Sequence, residues 1–336
     1  MSYGVVVCIC LALFFPTRAD AQPAPVCRVS VENPTTHFQA LAARRFAEVF
    51  AEKTRGSVAV EFYDGARLFR DTDALGALAR GQVEVIFPGI WQLDRHAPDV
   101  AALMLPTTYG RSVAEMRSLV DGAFGDALAD RIEAALGAVR LGRWLDAGHA
   151  HIFTLAPTVR SAKDIAGKRI RVAGGRGNEE RIAALGARAL SIPLFDLVSY
   201  LDGRLVDGIL STYEAVDSAR LDRNGIKAVF EDAEYYPFYV PLASRRFWDS
   251  LDDAQRTAAR EAWAEVVARG REDAVRSHAE AKARLVARGL VVYAQADAER
   301  DAVRENLLPY EADMARKLNI SAETLRTLRD SFRGRP

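Results

Sequence analysis

The sequence predicts an α/β protein, and two observations support this class. Short apolar segments with the alternation typical of strands recur along the chain, and amphipathic segments with helical spacing separate them. Such a succession is typical of α/β folds with mostly parallel strands. The chain has 336 residues, 49% of them hydrophobic, which is enough to build two lobes with their own cores.

The elements are predicted in order along the chain. Apolar residues spaced three and four apart between Phe38 and Phe50 predict the first helix, which ends at Gly56. Residues 252–287 are nearly all helix formers without proline, so they predict a helix long enough to cross a domain. Strands are predicted at 29–31, 58–62, 83–87, 151–155, 169–173, 206–210, 240–243 and 291–293, and a further helix at 71–80.

The charge balance limits the kinds of partner. Lys+Arg and Asp+Glu both number 45, so the formal net charge is zero. No overall field attracts nucleic acid or an anionic membrane surface, and we expect neither as a partner. Any site for an anion must therefore be local.

The first 21 residues have the features of a secretory signal peptide. An apolar run at 5–15 precedes the small-x-small site Ala19-Asp20-Ala21, which makes Gln22 the expected mature start. The segment before the run lacks lysine and arginine, which is unusual for such a peptide. The run is too short to span a bilayer, so we expect a soluble exported protein. Its remaining cysteine, Cys27, has no partner for a disulfide within the mature chain.

The segment 168–172 places an arginine in a strand that is expected to be buried. Ile170 and Val172 alternate with Arg169 and Arg171, so the two arginines share the opposite face. Arg171 lies near the carboxyl end of the strand, where open α/β sheets bind ligands. A buried guanidinium needs a partner and suits a carboxylate in two-point contact. The partner is either a bound organic acid or a structural carboxylate.

Seven segments stand together in an order and spacing that characterise one family. They include Leu185-Gly186-Ala187 and the longer segment 161–172 around Arg171; the others are 46–56, 63–68, 79–84, 105–106 and 201–208. With these segments, the chain resembles the DctP-type substrate-binding proteins of TRAP transporters over essentially its whole mature length.

The resemblance implies a two-lobed periplasmic-binding-protein fold with the long C-terminal helix crossing both lobes. Lobe I is expected at 22–147 plus about 237–275, and lobe II at 148–236 plus about 276–336. The implied function is a periplasmic solute-binding protein that closes on a small organic acid and delivers it to the membrane permease subunits. The alternative is a receptor that presents its ligand to a sensor kinase.

The resemblance also implies a set of ligand-binding residues. The family arginine that pairs with the ligand carboxylate corresponds to Arg171. A second family arginine corresponds to His151, and a family asparagine to Ser211, and both replacements can still hydrogen-bond. For His151 the alternative is a partly buried histidine that bonds to the backbone.

Three further residues are candidates from the same resemblance. Asn33 corresponds to a ligand-contacting asparagine, with a helix-capping or turn role as the alternative. Trp91 and Tyr213 are expected near the cleft, although packing in the core explains either aromatic equally well. The residues around the ligand's tail are not predictable, so dicarboxylates, sugar acids, oxo acids and aromatic acids all stay open.

The sequence lacks the complete motifs that enzyme functions require. Gly175 and Gly177 resemble a dinucleotide loop, but Glu180 stands where a third glycine is needed. His149 and His151 share a strand face, yet no further ligands stand at metal-site spacing. No nucleophile motif is present. We therefore expect no enzyme, no metal and no cofactor.

Overall fold

Two β-sheets organise the chain, of which the computed structural model describes residues 24–333. The predicted signal peptide lies outside the described residues. The strands are β1 (Val26–Ser30), β2 (Ala59–Tyr63), β3 (Val85–Ile86), β4 (Ala138–Arg140), β5 (Leu145–Asp146), β6 (Ala150–Thr154), β7 (Arg169–Val172), β8 (Arg188–Ser191), β9 (Gly208–Ser211), β10 (Ala228–Tyr235), β11 (Phe238–Tyr239), β12 (Leu242–Ser244) and β13 (Val291–Ala294).

Helices connect and cover these strands. The α-helices are α1 (Phe38–Thr54), α2 (Asp71–Ala79), α3 (Ile90–Leu93), α4 (Val113–Val120), α5 (Ala123–Leu136), α6 (Arg176–Ala184), α7 (Leu194–Asp202), α8 (Tyr213–Ser218), α9 (Arg245–Ser250), α10 (Asp253–Ala287), α11 (Asp297–Leu307), α12 (Glu311–Lys317) and α13 (Ala322–Ser331). Short 3₁₀ helices cover Pro98–Met104, Pro106–Thr108, Ala162–Ile165, Leu221–Asn224 and Leu308–Tyr310.

The strand order shows two lobes joined by two crossings. The first sheet has the order β2-β1-β3-β12-β4, and the second has the order β13-β10-β6-β9-β7-β8. The chain leaves the first sheet after β4 and returns to it at β12. On these two passages β5 and β11 pair antiparallel with each other. The predicted two-lobed α/β fold is confirmed.

The prediction of mostly parallel strands is wrong in part. β1 runs parallel to β2 and β3, and β7 runs parallel to β8 and β9. However, β12 is antiparallel to β3 and β4, and β6 is antiparallel to β9 and β10. β12 and β6 adjoin the crossings, and the local sequence pattern of a strand does not encode the direction in which the chain enters a sheet.

The long helix α10 crosses both lobes, as predicted. Its start is capped reciprocally, because the Asp252 carboxylate accepts from the Gln255 amide at 2.8 Å and the Gln255 side chain accepts from the Asp252 amide at 3.0 Å. Its 35 residues correspond to a length of about 50 Å. It contacts α1 beside the first sheet, β5 at the crossing and α8 beside the second sheet.

Apolar packing forms two clusters. The larger cluster includes Phe46, Phe87 and Trp263 of the first lobe and extends to Ile152 and Ile170 of the second sheet, while a smaller cluster includes Phe153 and Leu285. Across residues 24–333, no helix combines the length and apolar character needed to cross a membrane.

Candidate ligand-binding site

A cavity of about 80 Å³ lies between the two sheets, where several strands end. Glu32 and Asn33 follow β1 of the first sheet, while Arg171 and Ser211 lie at the ends of β7 and β9 in the second. The carboxyl ends of parallel strands converge here because the strands of each α/β unit point the same way. Other lining residues are Asp71, Trp91, Ala150, Asn178, Tyr235 and Tyr239.

Arg171 provides the positive charge of this cavity. It is only 3% exposed, and its Nε donates to the carbonyl of Ile192 at 2.8 Å. Its terminal Nη groups have no hydrogen-bond acceptor and no salt bridge among the described residues. Burial lowers the pKa of Arg171 to about 10, against the opposing charges of Asp71 and Glu32, so the guanidinium is charged at neutral pH. A desolvated cation without an ion pair therefore faces the cavity.

The neighbouring arginine of the same strand has a different environment. The side chain of Arg169 is 40% exposed and pairs with Asp207 at 2.8 Å, away from the cavity. The side-chain bond to Asp207 raises the pKa of Arg169. Strand alternation places both arginines on the same face of β7. Only Arg171 lies near the carboxyl end of the strand, where the cavity is.

Two carboxylates face Arg171 from the side of the first sheet. Glu32 follows β1, and Asp71 begins α2. Burial, the charge of Asp71 and a side-chain hydrogen bond with Asp71 raise the pKa of Glu32 well above its usual range, although Arg171 opposes this. Gln92 Nε2 lies 3.5 Å from Glu32 Oε2. The charge of Asp71 therefore opposes ionisation of Glu32.

Asn33, Trp91 and Ser211 line the same cavity. Asn33 is buried, and its Nδ2 donates to Gln39 Oε1 at 2.7 Å and to Tyr239 Oη at 3.2 Å. The Trp91 ring packs edge to face on Tyr239 with 5.5 Å between centroids, and its buried Nε1 has no hydrogen-bond partner within residues 24–333. Ser211 ends β9 and is half-buried. Asn33 thus orders the wall, and Trp91 offers an unused donor.

His151 and Tyr213 lie elsewhere. They line a second cavity, of about 210 Å³, on the other face of β6. Successive strand residues point to opposite faces, so Ala150 lines the first cavity and His151 points away from it. His151 Nδ1 accepts from the Ala233 amide at 3.2 Å, and Tyr213 Oη donates to Glu231 Oε1 at 2.6 Å. The structure therefore brings together four of the six predicted site residues.

The second cavity also contains His149 and His278. His149 Nε2 lies 3.3 Å from the carbonyl of Arg111. Burial lowers the pKa of His149 to about 4 and that of His278 to about 3, so both rings are neutral at pH 7. Within residues 24–333, no group of three or more His, Cys, Asp or Glu side chains is placed to hold a metal ion.

Sequence reasoning missed several cavity residues. Glu32 directly follows the strand predicted at 29–31, and Asp71 begins the helix predicted at 71–80. These positions were the signal that the sequence offered. Asn178, Tyr235 and Tyr239 come from α6 and the second crossing, whose placement depends on the tertiary fold.

The fold and this cavity define a bacterial extracellular solute-binding protein. The model of the DctP family, described as bacterial extracellular solute-binding protein, family 7, matches residues 29–318. The chain belongs to this family, which confirms the resemblance seen in the sequence. The family consists of solute-binding proteins, in agreement with the expectation that the chain is not an enzyme.

Individual relatives are distant. The chain is 25% identical over 317 residues to the C4-dicarboxylate-binding periplasmic protein DctP of Rhodobacter capsulatus, covering 94% of this chain and 93% of that protein. It is 30% identical over 233 residues to the uncharacterized protein y4mM of Sinorhizobium fredii, which covers 68% of this chain but only 42% of that protein.

A solved structure with a similar fold is the sugar acid binding protein DctPAm of Advenella mimigardefordensis, in complex with galactonate. The TM-score is 0.85 at 22% identity, and the match covers 91% of this chain and 97% of that one. At this identity the likeness establishes the fold.

Proposed function

We propose that the protein binds a small organic acid in the periplasm and delivers it to the membrane permease of a TRAP transporter. One observation carries the proposal: Arg171 is buried, charged and without a salt bridge among the described residues, and it faces a cavity. A guanidinium in this setting needs an anion, and a carboxylate offers two-point contact. The C4-dicarboxylate-binding and sugar-acid-binding relatives support an acid ligand.

Lobe closure is the proposed mechanism. We place the lobe boundaries near residues 147 and 237, next to the paired strands β5 and β11. A ligand that contacts both lobes favours the closed state in proportion to its higher affinity for that state. His37 at the start of α1 and Glu214 in α8 lie 2.7 Å apart through Nε2 and Oε2 and are both buried, and this contact is expected to stabilise the closed state further.

A thermal-shift screen of the mature protein against organic acids tests the proposal. A ligand present at a hundred times its Kd stabilises the folded protein by roughly 2.7 kcal/mol. The same acid is expected to leave the Arg171→Ala variant unshifted. If no organic acid stabilises the wild type, or if the shift persists in Arg171→Ala, the proposed site is wrong.

Export and delivery need their own measurements. Amino-terminal sequencing of the periplasmic protein is expected to begin at Gln22, the residue after the proposed cleavage site. Uptake by vesicles that contain the permease subunits should require the ligand-loaded protein. Ligand-dependent activation of a sensor kinase without any uptake would favour the receptor alternative.

A further inference from the structure

The charges of the ligand cavity are unequally divided. Among the described lining residues, three carry a charged side chain: Arg171 from the second sheet, and Glu32 and Asp71 from the side of the first. One wall of the cavity is therefore cationic and the opposite wall is anionic. The acids outnumber the cation, and Arg171 forms no salt bridge with either of them.

This arrangement discriminates between the two ends of a ligand. A carboxylate at Arg171 leaves the rest of the ligand directed toward Glu32 and Asp71. A second carboxylate there would lie against two acids, and such like-charge contacts oppose binding. A hydroxyl can donate to either acid but brings no positive charge to that wall. A cation satisfies both acids.

The aromatic residues of the wall agree with a cation at that end. Tyr239 lies within electrostatic range of Glu32 and packs against Trp91, so both rings belong to the wall that holds the acids. Aromatic faces attract ammonium groups, most strongly when the site is desolvated.

We propose that the ligand is an aminocarboxylate, with its carboxylate on Arg171 and its ammonium group between Glu32 and Asp71. This inference rests on the proposed function and specifies the class of acid. The zwitterion would neutralise both walls at once, so it would bridge the two sheets through charge pairs at each end.

Titration calorimetry on the intact mature protein tests the inference. The probes are ω-amino acids of two to six carbons, each compared with the dicarboxylate and the hydroxy acid of the same length. At least one amino acid should bind tenfold or more tightly than both of its matched acids. The inference is overturned if no amino acid binds, or if no amino acid in the series binds at least tenfold more tightly than both of its matched acids.

The same titrations separate this inference from the proposed function. Binding of another carboxylate that is lost in Arg171→Ala overturns the aminocarboxylate and leaves the solute-binding function intact. Absence of binding by every carboxylate overturns both.

Substitution of Glu32 or Asp71 distinguishes a role in ligand binding from a purely structural role of these two acids. In Glu32→Gln and in Asp71→Asn, the affinity for the amino acid should fall at least tenfold, whereas the affinity for the matched dicarboxylate should rise. Asp73→Asn is the matched control, because Asp73 lies in the same first turn of α2 but is exposed and outside the cavity. An equal loss for both ligands, in variants that melt like the wild type, would overturn the inference.

Discussion

Two buried arginines in consecutive elements of the second lobe have opposite environments. Arg181 in α6 is fully buried, and its Nη2 lies 3.1 Å from Asp232 Oδ2 and 3.0 Å from Glu234 Oε2. Burial opposes its charge, yet Glu234 and Asp232 outweigh burial and raise the pKa of Arg181. Arg171 in β7 has no such partner, and burial lowers its pKa.

The contrast shows that burial of an arginine does not by itself mark a ligand site. The presence or absence of a counter-ion within the protein decides whether the charge is structural or available to a ligand. Arg181 also lies over the rings of Tyr109 and Tyr235, with its Cζ 5.3 and 5.9 Å from their centroids. The charge of Arg181 is thus paired within the protein, whereas that of Arg171 is paired only with a bound anion.

The largest expected effect on stability follows removal of Arg181. In Arg181→Ala, Asp232 and Glu234 become a pair of buried carboxylates without a cation. The loss of one partner from a buried charge cluster typically costs about 3–5 kcal/mol. Urea denaturation followed by circular dichroism should show this loss.

A matched triple variant tests the cause. Arg181→Met combined with Asp232→Asn and Glu234→Gln removes all three charges together and should recover most of the lost stability. If the triple variant is as unstable as Arg181→Ala, packing and not charge accounts for the loss.

Removal of Arg171 should have the opposite signature, with lost binding and little lost stability. Arg171→Ala takes away a partner of a desolvated charge pair in the complex, which typically costs about 2–5 kcal/mol of binding free energy. Arg171→Lys should restore little of it, because a point charge does not replace a two-point fork. Calorimetry with the ligand found by screening measures both variants.

Arg169→Ala is the control for this experiment, because Arg169 lies on the same strand and is paired with Asp207 outside the cavity. Its ligand affinity should match that of the wild type. If Arg171→Ala binds within about threefold of wild type, which is under 1 kcal/mol, Arg171 has a structural role like that of Arg181.

Much of the fold was predictable because it is encoded locally. All eight predicted strands overlap observed strands, and the helix predicted at 252–287 is α10 (Asp253–Ala287). The longest strand, β10, was missed because Glu231, Asp232 and Glu234 break its apolar pattern. Their partners lie on distant helices, where Arg181 and Lys282 neutralise them, and no local pattern reveals such pairings.

Arg171 was predictable from strand position, because it lies near the carboxyl end of β7, and it lines the cavity. Asn33, Trp91, Ser211 and His151 were predicted from the family resemblance; the first three line the same cavity, and His151 lines the second one. Glu32 and Asp71 come together on one wall of the cavity only in the folded chain, so nothing in their local sequence marks them as a pair.

The buried ion cluster of Arg181, Asp232 and Glu234 should also make the stability of the protein depend on pH. Burial raises the pKa of Glu234 to about 7, with Asp232 adding to the shift and Arg181 opposing it. A carboxyl whose folded pKa exceeds its unfolded value binds more protons in the folded state, so its contribution to stability is complete below about pH 4.3. That contribution is lost as the pH rises through about 7. The slope for one group cannot exceed about 1.4 kcal/mol per pH unit.

Glu234→Gln should remove this part of the pH dependence. Free energies of unfolding measured between about pH 4 and 8 should decline less steeply in the variant than in the wild type. An unchanged slope would mean that other groups cause the decline.

The smallest expected effect concerns His151, whose ring nitrogen hydrogen-bonds to the protein backbone. If this histidine faced the ligand carboxylate, protonation of its ring would favour binding and affinity would decline as the pH rose. Instead, its Nδ1 accepts from the Ala233 amide and lies 3.6 Å from Asp232 Oδ1, and the residue lines the second cavity and not the one that Arg171 lines. His151→Gln should therefore bind ligand within about threefold of wild type, under 1 kcal/mol.

Dissociation constants of the two proteins should also change in parallel between about pH 5.5 and 8.5, around the usual pKa of histidine. A decline in affinity that is present in the wild type and absent from the variant would place His151 beside the ligand, with Arg171.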